Sequence, residues 1–349
     1  MKALLLIGGQ ATRLWPLSKT LAKSLLPICD RELLFYQIAQ LAYAGIDEII
    51  LAAGTHVEQL QEYLSEFHGG IKFEFSIEPE PRGTAGAIAQ ARDLIGDSTV
   101  VVLNADILSD VRIADVLKRH FEGGLPATIV GFPVPDPARF GLLRVDEDQV
   151  RGFSEKPESG VLGEGPHYIN AGIYVLHPDV VRSIPTDRAV SIEREVFPRL
   201  ISERGALTHY AHEGLWIDVG TFESYVRANF ALVGRRYLFG EDQLWGQRDD
   251  CAVFKDFVYL HKTAQLGAGA DFYHRVVVMR DSVIGAGARL RNTIVMPGGM
   301  VGEGCEIMDS IVGPGAQVVP QSILTNMLLV AGEDPVPFFP NADQHLGTG

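Results

Sequence analysis

Cysteine is scarce. Cys29, Cys251 and Cys305 are the only three in 349 residues, an odd and widely spaced set without a Cys-x-x-Cys pair. That excludes a disulfide framework and a cysteine-ligated zinc site, and leaves the expectation of small core residues in a reducing compartment. Positive charge is also short: 30 Lys and Arg against 44 Asp and Glu give a formal charge of -14. Nucleic acid or an anionic membrane would need a basic surface, so neither is an expected partner, and a phosphate site must be built from a few placed cations. Long apolar runs are missing too. Met1 to Ile7 meets Gly8-Gly9 too soon for a signal peptide or a membrane span and reads as a buried strand, so a cytoplasmic location is expected. The ten histidines show no His-Glu-x-x-His spacing, which leaves them as surface or core residues.

What is present is a large apolar fraction, 46%, in a chain long enough for two domains. The first part alternates short apolar runs with helical periodicity, the rhythm of βαβ units on a mostly parallel sheet. The spacing predicts strands at 3–7, 48–53, 72–77, 99–103 and 127–133, with helices at 33–44, 57–67 and 85–95. Such a sheet carries its ligand at the carboxyl ends of its strands, which directs attention to the loops after Ile7 and Leu103. Beyond about residue 240 the texture changes. Leu266-Gly267-Ala268-Gly269-Ala270, Val283-Ile284-Gly285-Ala286-Gly287-Ala288, Val301-Gly302-Glu303-Gly304-Cys305 and Ile311-Val312-Gly313-Pro314-Gly315-Ala316 repeat with a period of about six residues. A parallel β-helix turns such aliphatic positions inward and fits glycine at its corners. The end of the chain has no periodicity and is expected to be a tail.

The densest chemistry lies in Leu6-Ile7-Gly8-Gly9-Gln10-Ala11-Thr12-Arg13-Leu14-Trp15-Pro16-Leu17 and in Ala22-Lys23-Ser24-Leu25-Leu26-Pro27. Two glycines at the end of a buried strand let the backbone turn sharply and bring N–H groups to phosphate oxygens, while Arg13 and Lys23 add the cations. Neither GxxxxGK[ST] nor GxGxxG is present. The segment resembles the first motif of the sugar-1-phosphate nucleotidylyltransferases, GGxGTRLxPLT followed by PKPLLP. The resemblance continues in the family's order through EPEPRGTAGAI (78–88), LNADI (103–107), Phe140-Gly141, FSEKP (153–157), INAGIYV (169–175) and LWIDVGT (215–221), and so covers essentially the whole chain. Three positions depart from it: Ala11 stands where the family usually has Gly, Ala22 where it often has Pro, and Ala105 where Asn-Gly-Asp is more usual.

The resemblance implies a fold and a set of roles. The expected fold is α/β: a Rossmann-like mixed, mostly parallel sheet flanked by helices forms a catalytic domain over 1–240, a left-handed parallel β-helix of hexapeptide repeats follows over 241–330, and 331–349 is the tail. A phosphate oxygen of the sugar-1-phosphate attacks the α-phosphorus of a nucleoside triphosphate and pyrophosphate departs, a reaction that depends on positioning and charge neutralisation. Asp106 and Asp218 are the expected ligands of a Mg²⁺ cofactor, Arg13 the holder of the triphosphate, and Lys23 a contact near the reacting centre. Lys156 is expected on the phosphate of the sugar-1-phosphate, with Gly141, Glu155, Asn170 and Gly172 on the sugar. Leu6, Gly8, Gly9, Gln10, Thr12, Glu78, Gly83, Thr84, Gly86 and Asn104 complete the nucleotide side. Taken alone, each cation reads as a solvated surface residue, and Gly83-Thr84 as a helix boundary that also leaves N–H groups unpaired. Trp216 reads equally as a pocket wall or a core residue.

Gly83-Thr84-Ala85-Gly86, Ser191 to Pro198 and the hexapeptides are most similar to mannose-1-phosphate guanylyltransferases, which makes GTP and mannose 1-phosphate the expected substrates and GDP-mannose the product. Thymidylyl or uridylyl transfer to glucose 1-phosphate and guanylyl transfer to a heptose phosphate are the alternatives within the family. A non-catalytic subunit that senses nucleotide-sugar is the alternative of another class. The β-helix is expected to mediate homo-oligomer contacts; acyl transfer is disfavoured because His274 is the only histidine among the hexapeptide coils between Leu266 and Ala316.

Overall fold

The computed structural model describes residues 1–338 apart from 10, 20, 30, 68–69, 157–166, 206, 234–250 and 256; for 251–255 it describes the backbone alone. The chain divides into two compact units, one of Met1–Gly9 with Gln37–Trp216, the other of Gln10–Tyr36 with the chain from Ile217 onward.

The first unit is built on a nine-stranded sheet in the order Lys72–Ile77, Glu48–Ala53, Lys2–Ile7, Val100–Asn104, His167–Leu176, Ala127–Val134, Leu207–Ala211, Gln149–Glu155, Gly141–Asp146. Lys2–Ile7 lies parallel between Glu48–Ala53 and Val100–Asn104, and Leu4, Leu5 and Val101 to Val102 are fully buried. Strands covered on both faces lose the polar–apolar alternation and read as unbroken aliphatic runs, which is why the sequence marks them clearly. At the edge, Lys72–Ile77 alternates instead and places the exposed Lys72 at its start. Helix Ile113–Gly123 buries Ile113, Val116, Leu117 and His120, a single stripe at helical spacing, and stops at Gly124 in the left-handed region.

The sheet is mixed, as expected, but it is not mostly parallel: four of its eight neighbouring pairs are parallel. The cause is His167–Leu176, which inserts between Val100–Asn104 and Ala127–Val134 and runs antiparallel to both. Beyond it Gly141–Asp146 and Gln149–Glu155 form a hairpin across Glu147, itself left-handed at φ 51. The predicted helix at 85–95 is two, Gly83–Gln90 and Arg92–Ile95.

In the second unit the repeats stack as three parallel ladders. One joins Gln265–Leu266, Val283–Ile284, Met300–Val301 and Gln317–Val318; the other two run through Asp271–Val278 and Arg289–Val295 to Glu306–Met308 and Ile323–Thr325, and to Ile311–Val312 and Met327–Leu329. This is the ladder pattern of a parallel β-helix. Left-handed backbone falls one coil apart in three series: Gly269, Gly287, Gly304, Gln321; His274, Asn292, Asp309, Asn326; and Asp281, Gly298, Gly315, Gly332. Each corner therefore needs a residue that tolerates positive φ, and Gly, Asn and Asp supply most of them. Ile284, Leu290, Val295, Val301, Cys305, Ile307 and Val312 fill the interior. Cys29 and Cys305 are buried core residues, as expected; the Cys251 side chain lies outside the described residues. The stretch read as the start of a tail is ordered at 331–338: Val336–Pro337 pairs antiparallel with Met327–Leu329, and the Phe338 ring lies 5.9 Å from Phe222. Residues 339–349 and the expected boundary at 240 lie outside the described residues.

Candidate active site

In the first unit the strand Lys2–Ile7 ends in Gly8 and Gly9; Gly9 has φ 86, and a Cβ at either would meet nothing within 4 Å. Leu6 pairs with Asn104, and the Ala105 N–H donates to the Leu6 carbonyl at 3.0 Å. The following loop, which carries Asp106, is pinned by Gln37, whose Nε2 donates to the carbonyls of Asn104 (2.9 Å) and Ile107 (3.0 Å). Sequence reasoning missed Gln37, since one glutamine on an amphipathic helix reads as its polar face.

Asn170 and Gly172 sit at a bulge, where His167–Leu176 slips register against Ala127–Val134 between Asn170 and Tyr174. Bulges re-aim side chains next to functional sites. Here the Asn170 Oδ1 accepts the Gly172 N–H (3.0 Å), and its Nδ2 donates to the Tyr174 hydroxyl (2.8 Å). Gly172 has φ 72, and a Cβ there would lie 2.7 Å from Asn104 Nδ2, so the glycine lets Asn104 close on the bulge. Glu155 faces Gly141 in register, and a Cβ on Gly141 would fall 3.0 Å from Glu155 Oε2. Burial raises the Glu155 carboxyl above the usual carboxylate range, and the nearby Glu193 adds to the effect. Lys156 follows with φ 48 and donates its N–H to the Phe140 carbonyl at 3.1 Å. Trp216 is a core residue: it is 7% exposed, stacks on Phe132 at 5.3 Å and donates Nε1–H to the Ala171 carbonyl at 2.9 Å.

Glu78 is raised by burial, an effect that the Arg82 N–H and charge oppose. Gly83, Thr84 and Gly86 are in close contact with the segment Val190–Glu193. The N–H groups of Ala85 and Gly86 both donate to the Val190 carbonyl (3.0 and 3.1 Å), and the Thr84 hydroxyl donates to Glu193 Oε2 (2.8 Å). A Cβ on Gly83, at φ 72, would lie 2.7 Å from the Val190 carbonyl oxygen. The helix start thus holds a turn, and the expectation that its N–H groups stand open to a ligand is corrected at these two positions.

In the second unit Arg13, Lys23 and Asp218 come together. Arg13 lies in the turn Thr12–Leu14, Lys23 in Lys23–Leu25, and Asp218 follows Ile217. Lys23 Nζ is 3.8 Å from Asp218 Oδ1. A Cβ on Gly220 would meet Arg13 at 3.0 Å and Asp218 Oδ1 at 3.1 Å, so the glycine leaves room for both. A capping box fixes the turn: Thr221 Oγ1 accepts the Ser224 N–H (3.3 Å), and Ser224 Oγ accepts the N–H groups of Gly220 and Thr221 (2.9 and 3.0 Å). Gln10 lies outside the described residues. Among the described residues no group of three or more His, Cys, Asp or Glu side chains is placed to hold a metal by itself. A single carboxylate suits an ion that takes most of its oxygens from substrate phosphates and water, as Mg²⁺ does.

The three departures can be read from backbone angles. Ala11 has φ 47 and ψ 36, left-handed, so the alanine occupies a conformation that glycine adopts freely. Ala22, at φ -56, holds the angle a proline would impose. Ala105 is not among the residues with positive φ, so nothing in its backbone calls for glycine.

A glycine turn at the end of a central parallel strand, with acid and amide side chains at neighbouring strand ends, lies where open α/β sheets bind their ligands. The chain belongs to the Nucleotidyl transferase family, which matches residues 2–233, and it is a sugar-1-phosphate nucleotidyltransferase; the GMPPB C-terminal domain matches residues 254–336. A probable mannose-1-phosphate guanylyltransferase 1 from Oryza sativa subsp. japonica is 34% identical over 82% of this chain and 74% of that one. A mannose-1-phosphate guanylyltransferase from Mycobacterium tuberculosis is 33% identical over 84% and 79%. The mannose-1-phosphate guanylyltransferase catalytic subunit beta of Danio rerio is 38% identical over 63% and 61%. Among solved structures, a putative glucose-1-phosphate thymidylyltransferase from Bacillus anthracis in complex with a sucrose superposes with a TM-score of 0.58 at 26% identity, over 65% of this chain and 93% of that one. HddC from Yersinia pseudotuberculosis complexed with GMP-PN gives 0.54 at 27%, over 65% and 97%. No helix among the described residues is long and apolar enough to cross a membrane.

Proposed function

We infer that this chain joins GTP to mannose 1-phosphate, forming GDP-mannose and pyrophosphate. The observation that carries this is the similarity to mannose-1-phosphate guanylyltransferases of plant, fish and bacterial origin, in two of them over about four fifths of this chain. The mannosyl phosphate oxygen attacks the α-phosphorus in line with the departing pyrophosphate, and no protein base is required because that oxygen is already ionised. Arg13 and Lys23 bind the triphosphate and the leaving pyrophosphate, the role that their company with Asp218 in an otherwise acidic protein supports. Lys156 binds the phosphate of mannose 1-phosphate; Gly141, Glu155, Asn170 and Gly172 bind its sugar. Leu6, Gly8, Gly9, Gln10, Thr12, Glu78 and Asn104 serve the nucleotide, with Gly83, Thr84 and Gly86 seating the adjoining turn. Asp106 and Asp218 hold a magnesium ion, which when bound neutralises charge on the α-phosphate. The protein acts in the cytoplasm, and its C-terminal coils wind left-handed and provide a homo-oligomer contact.

Pyrophosphate release from purified protein, measured with each nucleoside triphosphate against a panel of sugar phosphates, tests this. GTP with mannose 1-phosphate is expected to exceed every other pair by about tenfold or more in kcat/KM. Equal use of dTTP or UTP would overturn the base assignment, and preference for a heptose or glucose phosphate the sugar. Asp106→Ala and Asp218→Ala are each expected to lower kcat by about 100-fold or more. Nucleotide-sugar binding without turnover in the unaltered protein would identify a sensing subunit instead.

A further inference from the structure

Glu193 lies in the π-helical turn Ile192–Val196, and π turns recur at functional sites. Its Oε2 accepts two hydroxyls, from Thr84 (2.8 Å) and Ser191 (2.7 Å), while the Thr84 oxygen accepts the Ile192 N–H (2.9 Å). One carboxylate oxygen is thereby fixed to helix Gly83–Gln90. At the other end of the turn, the Phe197 ring lies 6.0 Å from Phe153 and 5.1 Å from Tyr174. The turn is thus packed against the strands that carry Glu155 and Asn170. The charge is felt there: after burial, Glu193 is the largest influence raising both the Glu155 carboxyl and the Tyr174 hydroxyl.

A purely structural clamp would not need this charge. A glutamine carbonyl also has two lone pairs for two hydroxyls, with weaker bonds but without the cost of holding an anion half-buried beside another anion. No Lys or Arg forms an ion pair with Glu193 among the described residues, and its Oε1 accepts no hydrogen bond from them. A pair of carboxylates with an Asn–Tyr hydrogen bond is the acceptor-rich set that reads vicinal hydroxyls, which donate without bringing charge.

We propose that Glu193 is a second sugar-reading carboxylate of the hexose 1-phosphate site, accepting a hydroxyl hydrogen of the bound hexose beside Glu155 and Asn170 and contributing to the choice among hexose epimers. The proposal rests on the reading of this chain as a hexose-1-phosphate nucleotidyltransferase, not on mannose being the hexose.

The test compares the full-length protein with Glu193→Gln and Glu193→Ala, using mannose, glucose and galactose 1-phosphates at saturating GTP, together with thermal unfolding. Direct calorimetric binding of the same sugar phosphates serves as a second readout that needs no turnover. Glu193→Gln keeps an acceptor for Thr84 and Ser191 but puts a donor where Oε1 was. It is expected to lower kcat/KM and affinity for the preferred hexose 1-phosphate by about 10- to 100-fold, to narrow the preference among the three sugars, and to leave the GTP KM and the Tm unchanged. Unchanged sugar kinetics and binding in Glu193→Gln would overturn the proposal. So would equal losses for all three sugars accompanied by a lower Tm, since that is the signature of a clamp. Failure of the functional reading is separate: the unaltered protein would prefer a sugar phosphate other than mannose 1-phosphate, and Glu193 would be scored on that one. If the unaltered protein binds none of the three, both fall.

Discussion

Ala11 is an L-residue held in left-handed backbone, with its carbonyl accepting the Leu14 N–H at 2.9 Å and the Ser18 hydroxyl at 2.7 Å. That conformation costs about 1–2 kcal/mol for a residue with a Cβ, and the two bonds hold it in place. Ala11→Gly removes the strain while loosening the unfolded chain, so a net gain of about 0.5–1 kcal/mol is expected, read as a higher Tm. His209 behaves differently. Burial lowers its pKa from 6.5 to about 4, its Nε2 has no hydrogen-bond partner among the described residues, and its ring lies against Tyr168 at 4.9 Å. A lowered pKa means that the folded protein resists protonation: the stabilisation is whole above pH 6.5 and is lost as pH falls through about 4. The loss amounts to about 3 kcal/mol by linkage. His209→Phe, which keeps a ring and gives up no hydrogen bond from Nε2, is expected to match the parent at pH 7 and to flatten the fall in unfolding free energy between pH 6.5 and 4. The remaining slope includes His120, also lowered by burial.

The strands most visible from sequence are those buried on both faces, Lys2–Ile7, Glu48–Ala53 and Val100–Asn104, whose aliphatic runs are a direct consequence of their burial. The six-residue repeats were legible for a similar reason, each corner demanding a residue that accepts positive φ. His167–Leu176 was not, because a strand's own periodicity does not say between which partners it will insert, and those partners start at Val100 and Ala127. The candidate site divides in the same way: its cations and carboxylates stand in recognisable motifs, whereas Gln37, Glu193 and Gly220 matter through tertiary neighbours. Gly172 joins the two cases. The bulge that carries it gives it φ 72 and puts a Cβ 2.7 Å from Asn104 Nδ2. Gly172→Ala is expected to cost about 1–3 kcal/mol in stability. By displacing Asn104 it should also lower kcat/KM about 100-fold, the scale of a misplacement of about 1 Å at a reacting centre. Unfolding curves and steady-state rates measure both, and a parental rate would show that Asn104 does not need the bulge.

The boundary of compact structure does not follow the boundary of sequence families. The Nucleotidyl transferase match runs from 2 to 233, yet Gln10–Tyr36 groups with the chain after Ile217. Bonds within that second unit explain the grouping: Cys29 N–H donates to Asn229 Oδ1 at 2.9 Å, the Tyr225 hydroxyl donates to the Pro27 carbonyl at 2.7 Å, and helix Phe222–Leu232 packs on strand Asp271–Val278. Lys19 pairs with Glu333 at 2.7 Å and Glu32 with Arg280 at 3.4 Å. Each of these exposed or half-buried pairs contributes at most about 1 kcal/mol, so Lys19→Ala, which removes only the exposed pair with Glu333, should move the Tm little. Removal of the coils is another matter, because the helix loses the strand it packs on while the segment carrying Thr12, Arg13 and Lys23 remains attached to that helix. A chain ending at residue 233 is therefore expected to unfold at lower temperature and to show a GTP kcat/KM reduced about tenfold or more, although it spans the whole family match. If it kept the parental Tm and rate, the segment 10–36 would be held by contacts other than the coils, and the C-terminal domain would serve assembly alone.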